Sequence, residues 1–342
     1  MRHHPGYARL ETLTRRGRAL LGSEVAIMGG AMTWVSERNL VAAISNAGGF
    51  GVIACGAMGP DLLAAEIEAT RGLTDRPFGV NLILMHPELD RLIERCTALD
   101  VGHFVFAGGM PTREQIARAK AKDAKVLAFA PSAAIGKRLV KAGVDGLIIE
   151  GAEAGGHIGP VATSVLAQEV LPAIDEVPVF VAGGIGHGEA VAAYLSMGAA
   201  GCQLGTRFAC ARESIAHPRF KEAFVRGSAR DAQTSVQVDP EFKVIPVRAL
   251  ANRATERFRQ VQVETIRRYR EGEIDYEAAA LAIEQFWAGA LRRAVVDGDV
   301  EEGSLMAGQS VGMVKAVEPT AAIVDTLVTQ AAAALERAER LG

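Results

Sequence analysis

Aromatic residues are scarce in this chain, at 5% of its 342 positions, and there are only four cysteines. Few aromatics beside 37 glycines argue for many tight turns joining compact α/β units, and against a β-sandwich. Cys55, Cys96, Cys202 and Cys210 are widely spaced and form no CxxC pair, which argues against a zinc site and against a disulfide framework. They are expected as buried free thiols; Cys55 or Cys210 would act as a nucleophile only by facing a pocket. A basic surplus is also missing. The formal net charge of −3 leaves no excess to neutralise a phosphate backbone, so a general nucleic-acid binder is excluded. No run approaches the ~18 apolar residues of a membrane span. Met1 to Gly22 is Arg-rich without the apolar centre of a secretory signal, and a cytoplasmic location is expected. The pair His3-His4 is too short to hold a metal, and no metal site is expected elsewhere. GxxxxGK[ST] does not occur, and no glycine cluster is followed by an acidic residue at the Rossmann distance.

What is present is a rhythm. From residue 24 to about 210, short apolar runs alternate with longer amphipathic ones about every 25 residues. Strands are predicted at 25–28, 50–54, 78–83, 103–106, 125–129, 145–149, 178–182 and 201–204, with helices near 36–47, 60–71, 87–99, 111–122, 132–142, 163–173 and 187–197. Pro60, Pro87, Pro111 and Pro131 fall at or near helix starts, where a missing N–H is tolerated. Near-continuous apolar strands are those of a parallel sheet buried on both faces. Eight of them with intervening helices predict an α/β fold, a closed (β/α)8 barrel with a helical C-terminal appendage. Beyond the barrel, 214–225 reads as a helix, 228–249 as irregular, 251–271 and 275–296 as long amphipathic helices, and 319–341 as an Ala-rich one. The expected division is therefore 1–227 barrel, 228–318 helical appendage and 319–342 a helix packing back on the barrel. The arginines crowding 248–270 read as a solvated face paired with glutamates, or as a dock for an acidic partner.

Chemistry concentrates at strand ends. Gly151-Ala-Glu-Ala-Gly-Gly-His157-Ile-Gly159 follows the sixth strand. Its adjacent glycines allow close backbone approach to a flat ligand, and its imidazole titrates near neutrality. After the seventh and eighth strands come Gly183-Gly184 and Gln203-Leu-Gly205-Thr206, where barrels often build a phosphate site from backbone N–H groups. Met28-Gly29-Gly30 after the first strand offers bare main chain. Asn81 in the third strand needs buried partners and reads as a ligand contact or a structural bridge. Glu150 closes the sixth strand, where burial would raise its pKa. A phosphorylated planar cofactor across the barrel mouth fits this ring, and FMN fits it well.

These segments, with Ser45-Asn-Ala-Gly-Gly-Phe-Gly51, Phe78-Gly-Val-Asn81 and Met306-Ala-Gly-Gln-Ser-Val-Gly312, resemble the nitronate monooxygenase (2-nitropropane dioxygenase) family. That family includes FMN-dependent enoyl-acyl-carrier-protein reductases of the FabK type. The resemblance implies non-covalent FMN contacted by Asn81, Glu150 and Gly155, its phosphate held by Gly183, Gly184 and Gln203 to Thr206, and His157 as general base or proton donor. Many nitronate monooxygenases carry Gln where this chain has Glu150, which brings it nearer the reductase branch.

Two activities follow from the resemblance. One is oxidation of small alkyl nitronates with O2; the other is NAD(P)H-dependent reduction of enoyl thioesters or quinones, with an acyl carrier protein as a partner on the Arg-rich helix. The first is preferred as the broader assignment, needing no second docking surface. A barrel that binds ligand without catalysis is disfavoured by the intact histidine loop. The sequence leaves monomer and homodimer open.

Overall fold

The apolar runs become parallel strands because helices cover the outside of the sheet and side chains fill its inside. The computed structural model describes residues 5–341, so His3 and His4 lie outside the described residues. The strands are β1 (Ile27–Gly29), β2 (Gly51–Ala54), β3 (Phe78–Ile83), β4 (His103–Ala107), β5 (Lys125–Phe129), β6 (Gly146–Glu150), β7 (Gly156–His157), β8 (Val179–Ala182), β9 (Gly201–Leu204), β10 (Ala232–Thr234) and β11 (Val247–Leu250). Eight of them form one parallel sheet in the order β1-β9-β8-β6-β5-β4-β3-β2. Its two edges meet where Phe50 N–H donates to the Ile27 carbonyl and Gly29 N–H to the Phe50 carbonyl, both at 2.9 Å. The architecture is the (β/α)8 barrel that the spacing predicts.

Alternate residues point inward. Met28, Phe50, Val52, Val105, Leu127, Ile148 and Phe180 fill the interior, so the barrel is a packed core and not a pore. Their strand neighbours, such as Ile27, Ile53, Val80, Phe104, Val126 and Leu147, belong to the outer core beneath the helices.

The helix Pro5–Leu21, absent from the expected elements, closes the N-terminal end of the barrel. Leu21 joins the interior cluster, and the Leu20 carbonyl lies 2.9 Å from His103 Nε2. At the other end of the chain, the helix Thr320–Leu341 packs on Gly188–Ser196, whose first N–H donates to Gln330 Oε1 at 2.8 Å.

The 228–249 stretch is not wholly irregular. It contributes β10 and most of β11, which form a three-stranded antiparallel sheet with β7 in the order β10-β11-β7. Short polar strands without an apolar alternation carry little signal. The helices Arg253–Arg270 and Tyr276–Arg292 pack through Phe258, Ile266, Ala279, Ile283 and Trp287. The exposed arginines of the first are matched by acids: Arg267 with Glu264, Glu271 and Glu273, Arg268 with Glu273, and Arg270 with Asp239. That is the solvated, paired face. No helix among the described residues is long and apolar enough to cross a membrane.

Candidate active site

Strand register builds the floor of the site. Glu150, Ala182, Gln203 and Met28 stand opposite one another on β6, β8, β9 and β1. Neighbouring strands present paired residues to the same face, and Met28 and Ala182 face the interior. Glu150 and Gln203 therefore face inward too, flanking the small Ala182. Asn81 pairs with inward-facing Val105 and joins them from β3.

These three polar groups differ in what holds them. Asn81 is buried and donates through Nδ2 to the Val105 carbonyl at 2.9 Å, so it bridges β3 and β4. Among the described residues nothing bonds the amide of Gln203, which is 5% exposed, or the carboxyl of Glu150. Glu150 is not sealed from solvent, but the protein packed around its carboxyl pushes the pKa up to about 8 by desolvation.

Met28 lies in the first strand, as the predicted span 25–28 has it, and Gly29 lies inside β1 too instead of after it. Met28 is fully buried in the barrel interior. A Cβ at Gly29 would sit 2.6 Å from Ile44, so this glycine admits the helix Arg38–Asn46. Gly30 faces the mouth: its Cβ position lies 3.7 Å from Gln203 Nε2 and 3.5 Å from the Gly205 Cα. Its N–H is held by the Leu204 carbonyl at 2.8 Å. What this segment offers a ligand is bare surface, not donors.

The donors are on the other side. Gly183 and Gly184 adopt φ of 96° and 73°, a region that favours glycine. Their N–H groups, and those of Gly205 and Thr206 at the start of the short helix Thr206–Ala209, reach no acceptor among the described residues. Unsatisfied N–H groups at the ends of two adjacent strands are the type of donor set that can cradle an anion. Thr206 Oγ1 accepts from Gly308 N–H at 3.0 Å, tying the cradle to the returning 306–313 segment.

The histidine loop is held from outside the barrel. A Cβ at Gly155 would fall 2.5 Å from the Gly308 nitrogen, so this glycine makes room for the returning chain. Gly156 takes φ of 78°. His157 pairs with Val247, Ile158 N–H donates to the Pro246 carbonyl at 3.0 Å, and Arg248 Nε donates to the Ala152 carbonyl at 2.9 Å. The imidazole is 43% exposed, with Nε2 3.0 Å from Glu284 Oε2 on the helix Tyr276–Arg292. A carboxylate only accepts, so Nε2 carries the proton and Nδ1 is left as the basic nitrogen.

Sequence reading misses Glu284, and it misses Glu153 as well. Glu153 Oε2 accepts from both N–H and Oγ1 of Thr163 at 2.6 Å, anchoring the loop to the start of the helix Thr163–Val170. An acidic residue inside a glycine-rich loop is the signal for such a cap. Trp34, after β1, takes φ of 68° and holds a buried indole N–H without an acceptor, with Arg292 5.9 Å above its ring. Cys55 and Cys210 are buried, and desolvation pushes their thiols up to about 11 and about 12. Neither is a ready thiolate.

A closed parallel barrel with unbonded N–H groups after its last two strands, inward polar groups on its floor and an imidazole at its rim has the layout of a barrel enzyme. A model of the nitronate monooxygenase family matches residues 18–98 and 89–330, and the chain belongs to that family. It is similar to the FabK structure of Thermotoga maritima, with 35% identity and a TM-score of 0.86 over 96% of this chain and 99% of that one. It is also 30% identical to (3aS,4S,5R,7aS)-5-hydroxy-7a-methyl-1-oxo-octahydro-1H-indene-4-carboxyl-CoA dehydrogenase of Mycobacterium tuberculosis, over 94% of this chain and 97% of the relative. The enzyme of that name from Rhodococcus jostii is 36% identical over 67% of this chain and 65% of its own length.

Proposed function

We propose that this chain is an FMN-dependent oxidoreductase acting on an acyl thioester, exchanging electrons with NAD(P)H. The observation that carries the cofactor is the pairing of unsatisfied donors at Gly183, Gly184, Gly205 and Thr206 with unbonded polar groups on the floor. The N–H groups would hold the ribityl phosphate. Gln203, Glu150 and Asn81 Oδ1 would meet the polar edge of the ring system, with Gly30 giving it room. Bound there, FMN supplies two-electron redox chemistry.

The protein's own part is proton handling and orientation. His157 Nδ1 exchanges a proton with the substrate carbon next to the thioester carbonyl, while Glu284 keeps the ring in one tautomer. Glu150, protonated near neutrality, donates a hydrogen bond that a carboxylate could not give.

The thioester is favoured over a nitronate, the preference of the sequence alone, by two extensive similarities. One is to an enoyl-reductase-type structure, the other to a dehydrogenase whose name specifies a CoA ester. The Arg-rich helix gives no support to docking of an acidic carrier, since its charges are already paired. Oxidation of nitronates with O2 stays as the second reading, on the strength of the family match. Anaerobic mixing decides: bleaching of the yellow protein by NADH or NADPH, and indifference to ethyl nitronate, is expected. The reverse pattern would overturn the thioester reading.

A further inference from the structure

The methionines are unevenly placed. Of nine in the chain, Met32, Met58, Met85 and Met110 occupy the four consecutive loops that leave β1, β2, β3 and β4 at the barrel's C-terminal end. Met306 and Met313, on the returning segment, close on the β6 and β8 loops: Met306 Sδ lies 3.6 Å from the Cβ position of Gly156, and Met313 Sδ 2.3 Å from that of Gly186. Met32 Sδ lies 3.5 Å from the Cβ position of Gly205, at the edge of the anion cradle. By contrast, Met28 fills the barrel interior and Met197 lies at the opposite end.

The two halves of the mouth differ in chemistry. The loop stretches 30–36, 55–59, 84–87 and 108–112 contain no Asp, Glu, Lys or Arg; Glu37 and Glu88 lie where two of these loops enter their helices, His86 is titratable, and Arg292 reaches this half over Trp34. Across from them stand Glu150, Glu153, His157 and the bare N–H groups. Packing does not require the exposed methionines, for Met85 is 64% and Met110 41% exposed. A singly exposed apolar side chain needs no explanation, but methionines on four consecutive loops at one end of the barrel, beside a polar site, form a set that a ligand can use. Thioethers are flexible and polarizable, and they suit an apolar ligand of variable shape.

We infer that the β1–β4 half of the mouth binds the aliphatic or alicyclic carbon skeleton of the substrate, with Met85 and Met110 as its adaptable outer wall. The inference rests on the thioester reading for what lies attached to that skeleton, and on the loops alone for the skeleton itself. Because the wall is flexible, it should accept a range of chain lengths and favour longer ones.

The test uses the FMN-loaded enzyme and reads binding from the flavin absorbance and by calorimetry, without turnover. Decanoyl-CoA is expected to bind about 10-fold or more tighter than acetyl-CoA, a conservative fraction of the transfer free energy of eight methylenes. The variant Met85→Ser/Met110→Ser should reduce that preference to about 3-fold or less, with its FMN content and its affinity for coenzyme A alone unchanged. Met85→Leu/Met110→Leu should restore it. Equal binding of the two thioesters by the wild type would overturn the inference, as would a preference that survives both serines. If no CoA ester binds but decanoic acid does, and the serines weaken it, the apolar wall stands and the thioester reading falls. If neither binds, both fall.

Discussion

His157 and Glu284 are 127 positions apart in sequence, yet Nε2 and Oε2 meet at 3.0 Å where the Tyr276–Arg292 helix reaches the barrel rim. The histidine comes from a barrel loop and its partner from the segment that follows the barrel. The ring orientation is thus a property of both.

Glu284→Gln should lower turnover about 10- to 100-fold, the effect of losing an outer partner that orients a histidine. FMN content should not change. In ¹⁵N spectra the neutral His157 of the wild type should be the Nε2–H tautomer, and the variant should show a mixture. His157→Ala should cost about 10²-fold or more in turnover, the scale of general acid–base catalysis. Wild-type turnover in both variants would remove the pair from the mechanism.

Glu150 gives a pH signature. Burial raises its pKa from 4.5 to about 8 in the folded chain, so the folded state binds the extra proton between those values. Stability then falls as pH rises through that window and is fully present below it. Thermal unfolding of the FMN-free protein should show a Tm that declines between pH 5 and 8. Glu150→Gln should flatten the decline; an equally steep slope in the variant would assign it to other groups.

Gly155 and Gly159 offer a matched pair. A Cβ at Gly155 meets the 307–308 backbone within 3 Å, while one at Gly159 meets nothing within 4 Å. Gly155→Ala should destabilise by about 1–3 kcal/mol through overpacking. Gly159→Ala should stay within about 0.5 kcal/mol. Similar denaturant midpoints for the two would contradict the close packing of the returning chain.

Lys221 is 8% exposed, and burial lowers its pKa. Its Nζ donates to the carbonyls of Ala211, Arg212 and Ser214 at 2.8, 3.3 and 2.6 Å. Lys221→Met would leave these acceptors without a donor and should destabilise by about 2–4 kcal/mol, since each unsatisfied buried group carries a desolvation penalty. A loss under about 0.5 kcal/mol in chemical denaturation would refute the bracing role.

The barrel is legible because a strand buried on both faces must be apolar throughout, and the predicted strands 78–83, 125–129 and 201–204 match the structure to the residue. The helix Pro5–Leu21 is not, although Leu10, Thr14 and Leu21 carry helical spacing, because arginines dilute the pattern. β7 is not legible because a two-residue strand exists only through its partner, and β11 is not legible because its four residues carry no apolar alternation. Within the site, the glycines at 183 and 184 announce their left-handed backbone. The role of Gly155 did not show, since what it accommodates is a segment some 150 residues later. Asn81 is a bridge through one N–H of its amide, leaving its oxygen and the second N–H for a ligand.

The small β10-β11-β7 sheet has an evolutionary corollary. The floor that would carry a cofactor is written into the barrel strands, while the placement of the imidazole is borrowed from residues 232–250 and 276–292. On the proposed function, exchanging that borrowed portion for a relative's would retune proton transfer and leave the barrel floor alone. A lineage could in this way change its chemistry by swapping one cassette, without rebuilding the enclosure beneath it.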